Sequence, residues 1–497
     1  MKFNPLTLID GYKADHRSQY PEGTEFVFSN WTPRSDKLSN IPEEDRDGVV
    51  FFGLQHFMFD VLVNSWEDDF FSRPKDRVVG KYRDRMAAYL GLDDFDVTHI
   101  EALWELGYLP LRIRAVREGT VVPYRVPMFT VENTLPEFFW LTNYFETILS
   151  ATIWKGCTSA TTARFYRKLF DHYADLTGSS VEVIGIQAHD FSFRGMSGVE
   201  DAALSGAAHL LSFIGTDTLP ALDLIEHSYL PNSVHGQPVH NGILGVGVAA
   251  TEHSVMCAGG EDDEAATFDR IAFDVYPTGI VSIVSDTWDF WSIMTEYLPS
   301  RKDRILARDG KVVIRPDSGD PVKIICGDPI AERNSPEWKG AIRLLWETFG
   351  GTFNEKGFKE LHPSIGLIYG DSITPVRAKE ILNRLYHDGF AASNVVLGIG
   401  SYTYEYVTRD THGFAMKATY AQVKGEGRML FKDPKTDGGT KKSLRGKFSV
   451  VNDPDEGLVV LDGQHNTDGC VMTTVFLDGG LTAPQTFSHV RATLAAQ

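Results

Sequence analysis

From about residue 181 to residue 401 the chain repeats one rhythm, and that rhythm limits the fold more than any other feature. Short β-rich runs alternate with longer amphipathic stretches. Val181-Glu-Val-Ile-Gly-Ile precedes 199–213, the run 243–250 precedes 263–272, and Gly279-Ile-Val-Ser-Ile-Val precedes 288–298. Val312-Val-Ile precedes 336–348, Ile365-Gly-Leu-Ile-Tyr precedes 375–388, and Asn394-Val-Val-Leu-Gly closes the series. Strands that return through helical crossovers pair in parallel, so the expectation is an α/β fold with a parallel sheet rolled into a barrel. The flanks differ. Strands are predicted at Phe26, Val49 and Leu111, helices over 54–66 and 76–90, a long helical stretch over 136–173, and strands with tight turns after 410. At 497 residues the chain exceeds what one core supports, which predicts two domains.

The run Val312-Val-Ile ends abruptly in Arg315-Pro-Asp-Ser-Gly-Asp-Pro. Pro316 cannot donate to a central ladder, and Ser-Gly-Asp-Pro is turn chemistry, so the strand should stop at the arginine. Arg315 and Asp317, two apart on an extended segment, point the same way, at the end where barrels place their chemistry. An ion pair closing a strand would leave the same trace. Other runs end alike: His189-Asp190, Thr251-Glu-His-Ser254, Ser285-Asp-Thr287, Gly370-Asp-Ser372 and Gly398-Ile-Gly-Ser401, with Gly215-Thr-Asp-Thr218 between two helices. One Asp after a strand is usually a cap; half a dozen endings mixing Asp, His, Arg and Gly indicate one lined face.

Residue types narrow the chemistry. Arg194 and Arg315 are rigid forks for phosphate oxygens or an amide carbonyl. Asp286, Asp317 and Asp371 could accept ribose hydroxyls or hold the water shell of Mg²⁺. Gly398-Ile-Gly-Ser lacks the lysine of a P-loop but could present backbone N–H groups to a phosphate. Eight basic residues against three acids lie between Lys424 and Lys447, which is either a solvated loop or an anion site. Together these groups suit a phosphorylated sugar. The formal charge of −19 argues against nonspecific nucleic-acid binding. Cys157, Cys257, Cys326 and Cys470 match no metal spacing and read as reduced thiols of a cytoplasmic protein. The start reads as no signal peptide, and no apolar run is long enough for a bilayer span.

The blocks Phe129-Thr-Val-Glu-Asn-Thr134, His189-Asp-Phe-Ser-Phe-Arg-Gly195, Gly215-Thr-Asp-Thr218, Glu252-His-Ser254, Ile314-Arg-Pro-Asp-Ser-Gly319, Thr408-Arg-Asp410 and Phe431-Lys-Asp-Pro434 carry a resemblance. It covers essentially the whole chain from Leu8-Ile-Asp-Gly-Tyr-Lys13 onward. The sequence resembles the nicotinamide phosphoribosyltransferases of the type II phosphoribosyltransferase family. That resemblance implies an irregular parallel α/β barrel over 181–400, packed on a discontinuous mixed α+β domain with an antiparallel sheet, formed by 1–180 and 401–497. It implies a homodimer with shared active sites. Phe191, with Tyr12 of the partner subunit, would sandwich the pyridine ring. Asp217 would accept from the carboxamide, while Arg194 and Arg315 approach the ring substituent and the phosphates. Asp317, Gly370 and Asp371 would bind ribose, with Asp286 nearby. Gly400 and Ser401, with Arg409 of the partner subunit and Lys417 of the partner subunit, would hold the 5′-phosphate. Arg34, Lys432 and Lys441 would meet pyrophosphate. His253 matches a histidine phosphorylated by ATP, and Mg²⁺ would come mainly on the substrate pyrophosphate, with no protein ligand assigned.

Three departures stand out: Gly398-Ile-Gly-Ser-Tyr402 replaces a glycine-richer phosphate loop, 229–246 is lengthened and carries His235 and His240, and the spacing slips near 435–442. The expected reaction transfers phosphoribose from phosphoribosyl pyrophosphate to nicotinamide, in NAD biosynthesis. A nicotinate-using enzyme of the same fold and a catalytically silent binding protein are the rival readings.

Overall fold

The computed structural model describes residues 3–229, 244–431, 444–463 and 467–497. The chain divides into two units: Met1–Thr161 with Leu224–Val239 and Thr408–Gln497, and Thr162–Asp223 with His240–Val407.

In the second unit seven strands pair in parallel: Ala188–Asp190, Gly215–Thr216, Ala249–Ala250, Thr278–Val284, Asp309–Arg315, Ile365–Tyr369 and Val395–Ile399. Their spatial order follows the chain, and the last strand pairs back onto the first through Gly398 and His189. The remaining gap is closed by a single parallel bridge, Gly215 to Val246, just ahead of Ala249–Ala250. The sheet is therefore an irregular barrel, and every strand delivers its carboxyl end to one rim. Aliphatic residues fill it: Val281, Ile283, Val312, Ile314, Leu367 and Leu397 are at most 2% exposed.

Helices follow the strands for local reasons. Asp320 accepts from the Val322 and Lys323 amides, and Pro321 takes the first position of Pro321–Cys326. Gly319, at φ +91°, makes the turn that brings the chain there. Thr374 caps Pro375–His387, whose Ala378, Ile381, Leu382 and Leu385 form the buried stripe.

One expected strand is a helix. Val181–Gln187 is helical, and only Ala188–Asp190 enters the sheet. Ser180 accepts from the Glu182 amide, and Ile184 and Gln187, three apart, are buried on one face. The cap and the helical spacing override the β-branched propensity of Val-Glu-Val-Ile. The run 243–250 is also mostly irregular among its described residues, broken by Gly245 and Gly247.

The first unit holds a seven-stranded antiparallel sheet in the order Glu426–Met429, Ala415–Val423, Thr24–Thr32, Phe129–Asn133, Leu111–Ala115, Thr473–Leu477 and Gly480–Leu481. Strands from both ends of the chain thus share one sheet. Trp31 stacks on Phe129 and Phe414 in its core, and Phe138, Trp140, Tyr144 and Phe145 are likewise buried. Among the described residues no helix is long and apolar enough to cross a membrane.

Candidate active site

The rim gathers the polar strand endings. Asp286, at the end of Thr278–Val284, has a side chain only 4% exposed. Its Oδ2 accepts from the Asp317 amide at 2.7 Å and from Ser318 Oγ at 2.7 Å, while His253 Nε2 lies 3.3 Å from Oδ1. A carboxylate only accepts, so His253 donates from Nε2. His253 opens the short helix His253–Cys257 and is half exposed.

Arg315 ends its strand as expected. Its Nη2 donates to the Thr251 carbonyl at 2.5 Å, whereas Nε–H is buried with no acceptor among the described residues. An orphaned buried donor costs roughly 1–3 kcal/mol, which a ligand oxygen would recover. Burial lowers the guanidinium's pKa; Asp317, Asp217 and Asp286 oppose that shift, and Arg194 adds to it. Asp317 is raised by burial against the pull of Arg315, with Asp286 and Asp371 adding to the rise. A Cβ at Gly370 would collide with Asp317 Oδ1, so only glycine leaves that carboxylate its place. Asp371 is exposed beside it and accepts from Ser372 Oγ at 2.8 Å.

Phe191 lies across Gly398, where a Cβ would stand 2.7 Å from its Cδ2. Its ring touches that of His189 at 4.6 Å between centroids. His189 Nε2 in turn donates to Asp217 Oδ1 at 2.8 Å. The Asp217 amide donates to the Asp190 carbonyl at 2.9 Å. Gly195, next to the exposed Arg194, sits against the Ser401 side chain, and Gly400 precedes the short helix Ser401–Tyr404. The barrel unit therefore brings together Phe191, Arg194, Asp217, His253, Asp286, Arg315, Asp317, Gly370, Asp371, Gly400 and Ser401.

The remaining expected residues belong to the first unit or lie outside the described residues. Arg34 and Arg409 are neighbours: burial and then the Arg409 charge lower the Arg34 pKa, and Arg34 Nε donates to the Gly413 carbonyl at 3.1 Å. Lys417 pairs in register with Asn30 and is exposed. Tyr12 is 62% exposed. Lys432, Lys441, His235 and His240 lie outside the described residues. Of the basic island, Arg445 packs on Phe431, and Lys447 on Phe26 and Tyr420.

Three groups escaped the sequence reading. His189 stood out only as a polar ending. His209, wholly buried, supports the Gly215 carbonyl at 3.1 Å through Nε2 and accepts from the Tyr404 hydroxyl at 2.7 Å; burial pushes its pKa down to about 4. Glu264 is pushed up to about 7 by burial, with Asp289 and Asp286 adding to the rise. Its Oε1 is buried and has no hydrogen-bond partner among the described residues. Nothing in the acidic run Glu261-Asp-Asp-Glu264 distinguishes it from a solvated helix start.

A barrel with this rim has the fold of solved pyridine-nucleotide enzymes. The nicotinate-nucleotide pyrophosphorylase of Pyrococcus furiosus superposes with a TM-score of 0.58 at 12% identity, covering 100% of this chain and 96% of that one. The human nicotinic acid phosphoribosyltransferase gives 0.55 at 16% identity, over 98% and 93%. The architecture is therefore that of a type II phosphoribosyltransferase. Residues 186–468 match the nicotinate phosphoribosyltransferase (NAPRTase) family. The nicotinamide phosphoribosyltransferase of Acinetobacter baylyi is 53% identical, covering 100% of this chain and 98% of its own, and that of Mycoplasma pneumoniae is 32% identical over 90% and 96%. The chain belongs to the nicotinate phosphoribosyltransferase family.

Proposed function

We propose that this protein transfers phosphoribose from phosphoribosyl pyrophosphate to the ring nitrogen of nicotinamide, giving nicotinamide mononucleotide and pyrophosphate for NAD biosynthesis. The observation that carries the choice of pyridine is Asp217, a carboxylate held at the rim by His189, which itself touches Phe191. The names of the Acinetobacter and Mycoplasma relatives support the same reading.

In the reaction the bond from the anomeric carbon to pyrophosphate breaks, the leaving group keeps the electron pair, and the nitrogen lone pair forms the new bond. Neutral nicotinamide needs no general base. Asp317 and Asp371 would hold the ribose hydroxyls beneath the developing positive charge, and Arg315 and Arg194 would meet the pyridine substituent and the phosphates. Gly400 and Ser401, with Arg409 and Lys417 of a second copy, would take the 5′-phosphate. Arg34, Lys432 and Lys441 would receive pyrophosphate. No group of three or more His, Cys, Asp or Glu among the described residues converges as a metal site. Mg²⁺ would come as a passenger on pyrophosphate, where it would neutralise leaving-group charge. His253, half exposed and steadied by Asp286, is the proposed acceptor for phosphate from ATP. All four cysteines are free thiols, which supports a cytoplasmic setting.

The family match makes nicotinate the rival substrate. An ionised Asp217 accepts an amide N–H but faces a carboxylate as a like charge, at a cost of several kcal/mol. Each ~1.4 kcal/mol is about tenfold, so nicotinamide should be preferred by roughly a hundredfold or more. Incubating the enzyme with phosphoribosyl pyrophosphate, Mg²⁺ and either base, and identifying the mononucleotide, tests this. Equal or greater turnover of nicotinate would overturn it.

A further inference from the structure

Asp217 is fixed at two points. Its amide donates to the Asp190 carbonyl at 2.9 Å, and its Oδ1 accepts from His189 Nε2 at 2.8 Å. His189 can reach it because the first two barrel strands pair His189 opposite Gly215. A Cβ at position 215 would stand 2.8 Å from His189 Nδ1, so glycine there gives the imidazole its lane. The His189 side chain is 12% exposed against 52% for Asp217, so the fixing group is covered and the fixed carboxylate is open. The imidazole also touches the Phe191 ring. One side chain thus contacts both the aromatic platform and the carboxylate that the proposed function assigns to the pyridine substrate. Asp217 makes no second side-chain hydrogen bond among the described residues.

We propose that His189 is a positioning residue for substrate choice: by holding Asp217 Oδ1, it presents Oδ2 to the carboxamide N–H of a pyridine lying on Phe191. This rests on the proposed function. An unheld carboxylate samples several rotamers about two bonds, and only some offer an oxygen to the amide. Pre-organisation therefore favours nicotinamide in particular, while a base without the N–H donor gains nothing from it.

The test compares wild type, His189→Ala, His189→Gln and Asp217→Ser in kcat/KM for nicotinamide and for nicotinate, with Tm measured alongside. His189→Ala should lose about tenfold on nicotinamide, chiefly in KM, the scale of one hydrogen bond to a charged group. Its preference over nicotinate should fall toward that of Asp217→Ser. His189→Gln, whose amide can still donate to Asp217, should recover most of that preference. A folded His189→Ala enzyme with unchanged preference overturns the proposal, as does an equal loss on both bases, which marks a structural role. Glutamine behaving no better than alanine also overturns it. If wild type uses neither base, the proposed function falls and this inference with it; if wild type keeps its preference through His189→Ala, only the inference falls.

Discussion

With two oxygens, Asp286 meets three donors: the Asp317 amide, the Ser318 hydroxyl and His253. The Asp317–Ser318 turn and the histidine therefore share one buried anchor, so a charge placed on His253 would be felt at Asp317. This is the physical route by which a phosphohistidine could alter substrate affinity. His253→Ala should abolish ATP hydrolysis and any ATP-dependent gain in affinity while leaving basal transfer; normal ATP hydrolysis by the variant would place the phosphate elsewhere. Glu264 gives a second prediction at this scale. Its folded value of about 7 lies above the ordinary 4.5, so between these pH values the native state keeps a proton that the unfolded chain releases. Stability from this group is full below pH 4.5 and is lost as pH rises through 7. Glu264→Gln should flatten the fall in Tm across that window, and parallel Tm curves for variant and wild type would refute the assignment. Arg315, Asp317 and Asp217 were legible in the sequence because each ends a recognisable run or block. Glu264 was not, since its burial near Asp286 and Asp289 arises only once separate strands and helices are assembled.

At the scale of elements, the barrel's rhythm was legible because buried parallel strands are short, apolar and bounded by turn residues. It failed at Val181–Gln187, where a cap and a two-residue buried face outweighed β propensity. It also overstated 243–250, since a sheet can close on one bridge and two paired residues, too little to leave a periodic signal. The end of the last barrel strand and the turn after it carry the departure Gly398-Ile-Gly-Ser, and there the structure gives Gly398 a reason. A Cβ would stand 2.7 Å from the Phe191 ring and 2.9 Å from the carbonyl oxygens of Tyr369 and Gly370. Two of those three neighbours are backbone and cannot swing away, so the ring must move. Gly398→Ala should therefore raise KM for the pyridine more than KM for phosphoribosyl pyrophosphate. Overpacking of this kind costs about 1–3 kcal/mol, so Tm should also fall. An unchanged pyridine KM in a folded Gly398→Ala protein would show that the Phe191 platform is not where the base lies.

For the whole molecule, the residues expected to act together are divided between two units, and those expected to serve a neighbouring copy are all in the first. Tyr12 is 62% exposed, and the Arg409 side chain is 51% exposed. Arg34 and Arg409 lie close enough to repel in a chain whose formal charge is −19. Among the described residues the Arg34 side chain hydrogen-bonds only to the Gly413 carbonyl, while Arg409 has Asp410 at 3.4 Å. If Arg409 serves the 5′-phosphate site of a second copy, Asp317 and Arg409 of one chain work in different sites. Mixing inactive Asp317→Ala and Arg409→Ala dimers should then give heterodimers in which one site carries both defects and the other none. Random exchange makes about half the dimers mixed, so recovery should approach roughly a quarter of wild-type turnover. If both residues served the same chain's site, every site in the mixture would carry one defect. Absence of recovery after subunit exchange has been confirmed by mass would then rule out shared sites.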